Sequence, residues 1–335
     1  MRLLLIVAST SAFFNLYQLQ ALYPWLLAKY GAEVPQAGWL NMASLMGMLF
    51  TAPIASKLTQ SLLPQHAIIA AIGCLSLLNI CIAESESLVF LAVIRILQGL
   101  VLPCVLTASI EILSQVGDEN KRLRGVGYYV AGTILGSTLS RFYPAFSIDL
   151  LGWRIGFISC SALLLAACLI VMQRAKAILS HTYIREAKKQ PYFNLLKEAL
   201  LEKRLLVAYG MGFGLLFSQS SIFTVLGLYL TQPPLERTSG QIGFIYLACL
   251  PALLAVFISP KLHEMRERTV AVTLIALLWS SIALMRDSYS LIIIGVAGFA
   301  ISTYLMQTLT TRMVSRARHV PVNIASGVYL SFYYA

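Results

Sequence analysis

Two arginines lie inside long apolar stretches, Arg95 in a segment from about 87 to 115 and Arg141 in one from about 125 to 150. A guanidinium near the centre of a bilayer costs between about 3 and 10 kcal/mol unless it finds a partner or a wet cavity. All 14 acidic residues fall in connections or at segment ends, so neither arginine has an embedded carboxylate to pair with. Two readings follow. In the first, both arginines line an internal cavity and grip an anionic or strongly hydrogen-bonding molecule, because the guanidinium fork matches carboxylate geometry. In the second, Arg95 bonds to backbone carbonyls of a neighbouring helix and stiffens the bundle, while Arg141 reaches outer headgroups by snorkelling.

Neutral polar residues in the first and seventh apolar segments, Asn15, Gln18, Gln20, Gln219, Ser220 and Ser221, are candidates for hydrogen bonds to a bound molecule or for bridges between helices. Tyr17, Tyr128, Tyr246 and Tyr304 offer an aromatic lining or simple packing. Glu111, the most nearly embedded acid, is the one carboxylate placed to carry a proton; the alternative is an interfacial residue facing Lys121, Arg122 or Arg124. The six cysteines form no CxxC pair and read as small core residues, and the four histidines (His66, His181, His263, His319) share no metal-ligand spacing. No cofactor or metal is expected. Catalytic signatures such as H-E-x-x-H or G-x-S-x-G are missing from the sequence, as is a Walker loop, so neither an enzyme nor a nucleotide-driven pump is indicated.

The elements that must hold these residues are apolar and long. The chain is 58% hydrophobic and 12% charged, with a mean hydropathy of +0.77, against about 25% charged in a soluble domain. A helix needs roughly 20 apolar residues to cross a bilayer. Stretches free of charged residues cover 3–28, 34–56, 58–83, 155–173, 205–235, 238–260 and 288–311. Together with the two arginine-bearing stretches and a marginal one at 269–285, they predict ten spans. The apolar run from Val320 to Ala335 reads as an eleventh, cut short. Arg2 and the run after it could suggest a signal peptide, but the run continues to Leu27 and reads as a helix.

With Arg2 placed in the cytoplasm and the connections alternating, 19 of the 25 basic residues fall on the cytoplasmic side. That asymmetry is the positive-inside rule, and it explains a net charge of +11 without nucleic acid. The chain then divides into a six-helix bundle over 1–173, a basic cytoplasmic linker over 174–204 and an incomplete bundle over 205–335. Within the linker, Leu195, Leu196, Leu200 and Leu201 suit a short amphipathic helix on the membrane surface, or a solvated connection. A faint repeat relates the halves: Gln36-Ala37-Gly38-Trp39 resembles Gln241-Ile242-Gly243-Phe244, and Lys57-Leu58 resembles Lys261-Leu262. If the repeat were complete, roughly 40 residues, including a twelfth span, would be missing.

Several motifs carry a family resemblance across the whole chain. Arg95-Ile96-Leu97-Gln98-Gly99, followed by Pro103 and Glu111, resembles the R-x-x-Q-G pattern of the major facilitator superfamily, typical of its drug and metabolite proton antiporters. Gly125, Gly127, Gly132 and Gly136 resemble the glycine-rich antiporter stretch, and Gly152-Trp153-Arg154 is similar to a common family signature. Leu139-Ser140-Arg141 and the stretch from Ala325 to Tyr334 resemble bacterial inner-membrane efflux proteins of the arabinose-efflux type. One loop departs: where the family carries G-x-L-a-D-r-x-G-R-R between spans two and three, Gln60 stands in place of the aspartate, and the glycines and arginines are gone.

The resemblance implies an all-α membrane protein of two bundles and secondary active transport, most simply efflux of a small organic molecule by alternating access. The alternative is a truncated remnant that transports nothing. The implied setting is a multi-pass protein of the bacterial inner membrane with a cytoplasmic N-terminus, monomeric. Its partners would be lipid, a small substrate, anionic if the arginines bind it, and protons as coupling ion. The candidate cavity residues are Arg95, Arg141, Asn15, Gln18, Gln98 and Gln219, with Glu111 as candidate proton carrier.

Overall fold

The computed structural model describes residues 1–31, 33–59, 62–116, 118–178, 192–233, 235–258, 267–285, 288–317 and 320–335. Its helices are α1 (Arg2–Leu16), α2 (Tyr23–Tyr30), α3 (Val34–Thr51), α4 (Ala55–Leu58), α5 (Pro64–Ala83), α6 (Leu88–Ser114) and α7 (Glu119–Ile178), followed by α8 (Tyr192–Leu201), α9 (Lys203–Tyr229), α10 (Ser239–Ile245), a 3₁₀ turn (Tyr246–Cys249), α11 (Pro251–Ile258), α12 (Glu267–Leu284), α13 (Tyr289–Ser315) and α14 (Val322–Tyr334). Among the described residues, six helical stretches are long and apolar enough to cross a membrane. One of them, Asn120–Ala175, is 56 residues long and breaks at Gly152, whose φ of 79° suits a residue without a Cβ. The other expected spans fall on shorter or interrupted helices: α1 with α2, α3 with α4, and α12.

Lipid reverses the usual distribution of polarity. Large apolar side chains face outward, Val89, Leu254 and Phe50 each being at least 70% exposed. Arg95, Arg141, Asn15, Gln18, Gln20 and Gln98 are buried. Hydrocarbon offers no hydrogen bonds, so polar groups must be satisfied from within the protein.

α1, α3, α5, α6 and α7 pack against one another, as do α9, α11, α12, α13 and α14, and the two groups meet where α7 touches α10 and α13, and where α14 touches α3 and α6. Glycine sets the closest crossings. A Cβ on Gly132 would stand 1.9 Å from Ser9 Oγ, and one on Gly136 2.4 Å from the Thr10 carbonyl, so α7 and α1 touch backbone to backbone there. Gly127 has no such neighbour. Gly99 meets the Ser44 carbonyl in the same way at 2.1 Å, joining α6 to α3.

The faint repeat has a structural counterpart. Gln36 and Gln241 each occupy the third position of their helix, and each side chain accepts from the backbone N–H three residues earlier, at Glu33 (2.9 Å) and Thr238 (3.2 Å). Both helices start with a capping box. The Lys261-Leu262 half of the repeat lies outside the described residues, as do Gln60 and residues 179–191 of the expected linker. What is described of the linker includes α8, with Leu195 and Ala199 buried and Leu201 exposed.

Gly136→Leu is expected to force α1 off α7 and cost about 1–3 kcal/mol of stability, as overpacking does. Gly127→Leu should leave the midpoint of thermal unfolding, followed by size-exclusion chromatography of heated detergent samples, within error of the parent.

Candidate functional site

The first span breaks. Pro24 sits in the first turn of α2, and proline has no N–H to bond back to the Gln20 carbonyl, so α1 and α2 are joined by the turn residues 17–22. An interrupted helix leaves carbonyls without intrahelical partners. Arg95 fills that need: its Nη1 donates to the Asn15 carbonyl at 2.7 Å and its Nη2 to the Leu16 carbonyl at 2.6 Å. A cation at a helix C-terminus also opposes the helix dipole favourably.

The remaining donors of those nitrogens go to side chains, Nη1 to Gln98 Oε1 (2.7 Å) and Nη2 to Ser44 Oγ (2.8 Å). Asn15 completes the lock, donating to the Ser11 carbonyl (2.8 Å) and accepting from Asn79 Nδ2 (2.7 Å). One arginine thus ties α1, α3 and α6 together, and Asn79 brings in α5. The R-x-x-Q-G motif has a packing explanation in full: Arg95 caps the break, Gln98 aims it, and Gly99 admits α3.

Arg141 reaches the same break from the other side. Its Nε donates to Gln20 Oε1 and its Nη1 to the Ser137 carbonyl, both at 2.7 Å. Its guanidinium carbon stands 4.2 Å from the Tyr17 ring centre, 4.6 Å from that of Phe223 and 5.3 Å from that of Tyr246. Each such contact contributes about 0.5–2 kcal/mol. The residue is 1% exposed and so does not snorkel. Among the described residues, its Nη2 has no hydrogen-bond partner, and neither do both amide atoms of Gln18, the Gln20 Nε2 and the Tyr17 hydroxyl.

A polar stripe at fourfold spacing on α7, Thr133, Ser137 and Arg141, faces the second group of helices. The Ser137 and Tyr304 hydroxyls bond to each other, Tyr304 accepts from Gln219 Nε2 at 3.3 Å, and Thr133 donates to Gln307 Oε1 at 3.3 Å. At the end of the molecule beyond this centre, Asp149 on α7 accepts from the Gly240 N–H of α10 (2.8 Å) and from Trp25 Nε1 of α2 (3.2 Å). Nearby, Trp153 Nε1 donates to the Ile82 carbonyl at the end of α5 (2.9 Å), and Arg154 pairs with Glu84 (2.7 Å). The Gly152-Trp153-Arg154 signature therefore turns the chain and pins the second arm of α7 to α5.

The structure brings Arg95, Gln98 and Asn15 into one cluster, and Arg141, Gln20, Gln18 and Tyr17 onto or beside the same turn. Gln219 joins the Tyr304 pair. Ser220 and Ser221 line a separate apolar cavity of about 470 Å³ between α3, α9 and α14, with Met42, Leu45 and Phe213. Tyr128 sits against Phe257 and Arg2, away from the centre. Glu111 lies buried in the last turn of α6, 16 residues or about 24 Å along the axis from Arg95. Residues missed by sequence reasoning are Asn79, Ser44, Phe223, Ser137 and Asp149. Only Ser137 carried a signal, its spacing of four from Arg141.

A helical chain that buries cations and amides at its centre and shows lipid an apolar surface is a polytopic membrane protein built around an internal polar site. Residues 4–335 match the Major Facilitator Superfamily, and the chain belongs to that family of membrane transport proteins. It is 23% identical over 346 residues to an uncharacterized transporter of Buchnera aphidicola subsp. Baizongia pistaciae, covering 98% of this chain and 82% of the relative. A second transporter, from Buchnera aphidicola subsp. Schizaphis graminum, is 24% identical over 98% of this chain and 80% of its own length. The MFS-type transporter YybF of Bacillus subtilis is 21% identical over 80% of this chain and 67% of its own.

Arg95→Ala would strand two helix-end carbonyls and the Gln98 amide oxygen, each a buried polar group worth about 1–3 kcal/mol when left unmade. Its thermal midpoint in detergent should fall well below that of Arg141→Ala, which strands one amide oxygen, since the Ser137 carbonyl still accepts from Ser140 Oγ. Equal midpoints would remove the distinction between lock and site.

Proposed function

We propose that this protein moves a small organic molecule bearing a carboxylate or comparably strong acceptor, by alternating access of two helical halves around the turn at 17–22. The observation that carries the reading is the unspent Nη2 of Arg141, buried and ringed by aromatics, with the turn it touches also carrying Gln18, neither of whose amide atoms is bonded among the described residues. A buried cation in hydrocarbon is kept where it has work to do. Aromatic faces on three sides hold the guanidinium in place, and an anion taking the open edge would find a site already dehydrated and oriented. Gln18 and the Tyr17 hydroxyl supply further hydrogen bonds of either sense. Arg95 acts one layer back: it fixes the turn that carries Gln18 and Gln20.

Alternating access needs contacts that open in turn at the two ends. Asp149 with Gly240 and Trp25 supplies one closure, a set of surface hydrogen bonds weak enough to break on each cycle. The halves are those read from the sequence, 1–173 and 205–335, joined by the basic linker, with ten full spans and an eleventh. The basic end faces the cytoplasm and the membrane is the bacterial inner one. Export is the direction that the antiporter-like motifs favour. Among the described residues no carboxylate forms an ion pair with Arg141, and Glu111 stands far along α6. Exchange of one anion for another therefore fits this centre better than proton coupling at the site.

The test is uptake of labelled carboxylates, with a cationic dye for contrast, into proteoliposomes. Arg141→Ala is expected to cut carboxylate flux at least tenfold, about 1.4 kcal/mol or more of binding or barrier. Loading the lumen with unlabelled carboxylate should accelerate uptake, whereas an imposed pH gradient should not. Dye transport insensitive to Arg141 would overturn the reading.

A further inference from the structure

The basic end of the molecule holds a second cationic feature, unrelated to the central turn. Arg122 in the first turn of α7, Arg204 in the first turn of α9 and Arg316 just past α13 line one polar cavity of about 400 Å³, together with Ser114, Ser315 and Val322. Among the described residues, no acidic one contributes to the wall. Among the described residues, neither Arg122 nor Arg204 takes part in an ion pair. Both serine hydroxyls donate back into their own helices, to the carbonyls of Glu111 (2.7 Å) and Arg312 (2.9 Å), so Arg122 and Arg204 are the side chains left to donate into the cavity. Val322 opens α14, a helix of 13 residues, so the end of that helix that carries positive partial charge meets the arginines.

We propose that this cavity binds a phosphate group. The forks of Arg122 and Arg204 on one wall exceed what a carboxylate can occupy, since one fork saturates it, whereas the tetrahedral phosphate oxygens accept from several forks at once, and Arg316 adds its charge. The helix terminus adds a site of the same preference. A volume of about 400 Å³ falls in the range of small-ligand sites, about 300–1,000 Å³, and has room for a phosphate ester. The three arginines come from both groups of helices, Arg122 from the first and Arg204 and Arg316 from the second. A bound phosphate therefore bridges the groups at this end and favours the arrangement in which they are closed on it. An anionic lipid headgroup and a soluble phosphate ester share this chemistry.

The test uses delipidated protein in a neutral detergent and follows the thermal midpoint on titration with phosphatidylglycerol, phosphatidylcholine or glycerol phosphate. A saturable rise with phosphatidylglycerol but not phosphatidylcholine supports a lipid headgroup, and a rise with glycerol phosphate supports a soluble ester. In R122Q/R204Q the half-saturating concentration should increase at least tenfold, while in K203Q, which removes a neighbouring charge, it should stay within twofold. Should the double variant not fold, native mass spectrometry of the parent protein replaces it, a retained phosphate-bearing adduct that survives excess phosphatidylcholine being the expected result. No rise with either probe, or an equal rise in all variants, or no adduct, would overturn the proposal.

Discussion

The structure depends on a discontinuity in its first membrane helix. A lipid-embedded helix normally satisfies its own backbone, and a break at 17–22 exposes carbonyls where no water can reach them. Everything in the first group of helices is arranged around that problem. Arg95 caps the broken end, Gln98 and Asn15 aim the cap, Asn79 and Ser44 bind it to two further helices, and Gly99 and Gly136 bring the neighbouring backbones close enough for the bonds to form. The same turn that costs these partners sets Tyr17 and Gln20 against Arg141 and carries the buried Gln18 between them in sequence. A helical residue would have spent its backbone within the helix; a turn residue offers backbone and side chain together.

The two arginines show how one residue type serves opposite ends. Both are buried without a carboxylate among the described residues, and both touch the same turn. Arg95 has both terminal nitrogens bonded, two of the acceptors being rigid backbone carbonyls, and this makes it part of the scaffold. Arg141 is held by aromatic faces and two bonds; each arginine keeps one nitrogen without a hydrogen-bond partner among the described residues, the inner Nε of Arg95 and the terminal Nη2 of Arg141. Stacking fixes a guanidinium while leaving its edge available, whereas backbone carbonyls consume the edge. Whether the terminal edge is bonded or open, more than depth or burial, separates lock from site.

Much of this was legible in the sequence because lipid imposes strong rules. The length of the apolar runs, the basic asymmetry and the glycine spacing on α7 each follow from one physical constraint, and the two alternatives for Arg95 were both visible. The repeat at Gln36 and Gln241 was visible too, though only coordinates show that it is a repeated helix cap. The aromatic ring around Arg141 was not legible, since Phe223 and Tyr246 lie some 80 to 105 residues away on other helices and resemble any packing aromatic. Asp149 looked like an ordinary loop-end acid; its role rests on a backbone N–H of α10, which no side-chain pattern reveals. Pro24 marked the break in the first span, but a proline near a span end also reads as a plain helix start.

The account turns on the turn at 17–22 having a closed, structural side and an open, transporting side. The most direct test is labelling of single cysteines at Gln18 and at Asn79, in a background lacking the six native cysteines, with a membrane-impermeant thiol reagent in inverted and right-side-out vesicles. The Gln18 position is expected to react, from either face as the protein cycles, while the Asn79 position stays silent. Equal reaction at both, or reaction at Asn79 alone, would contradict it.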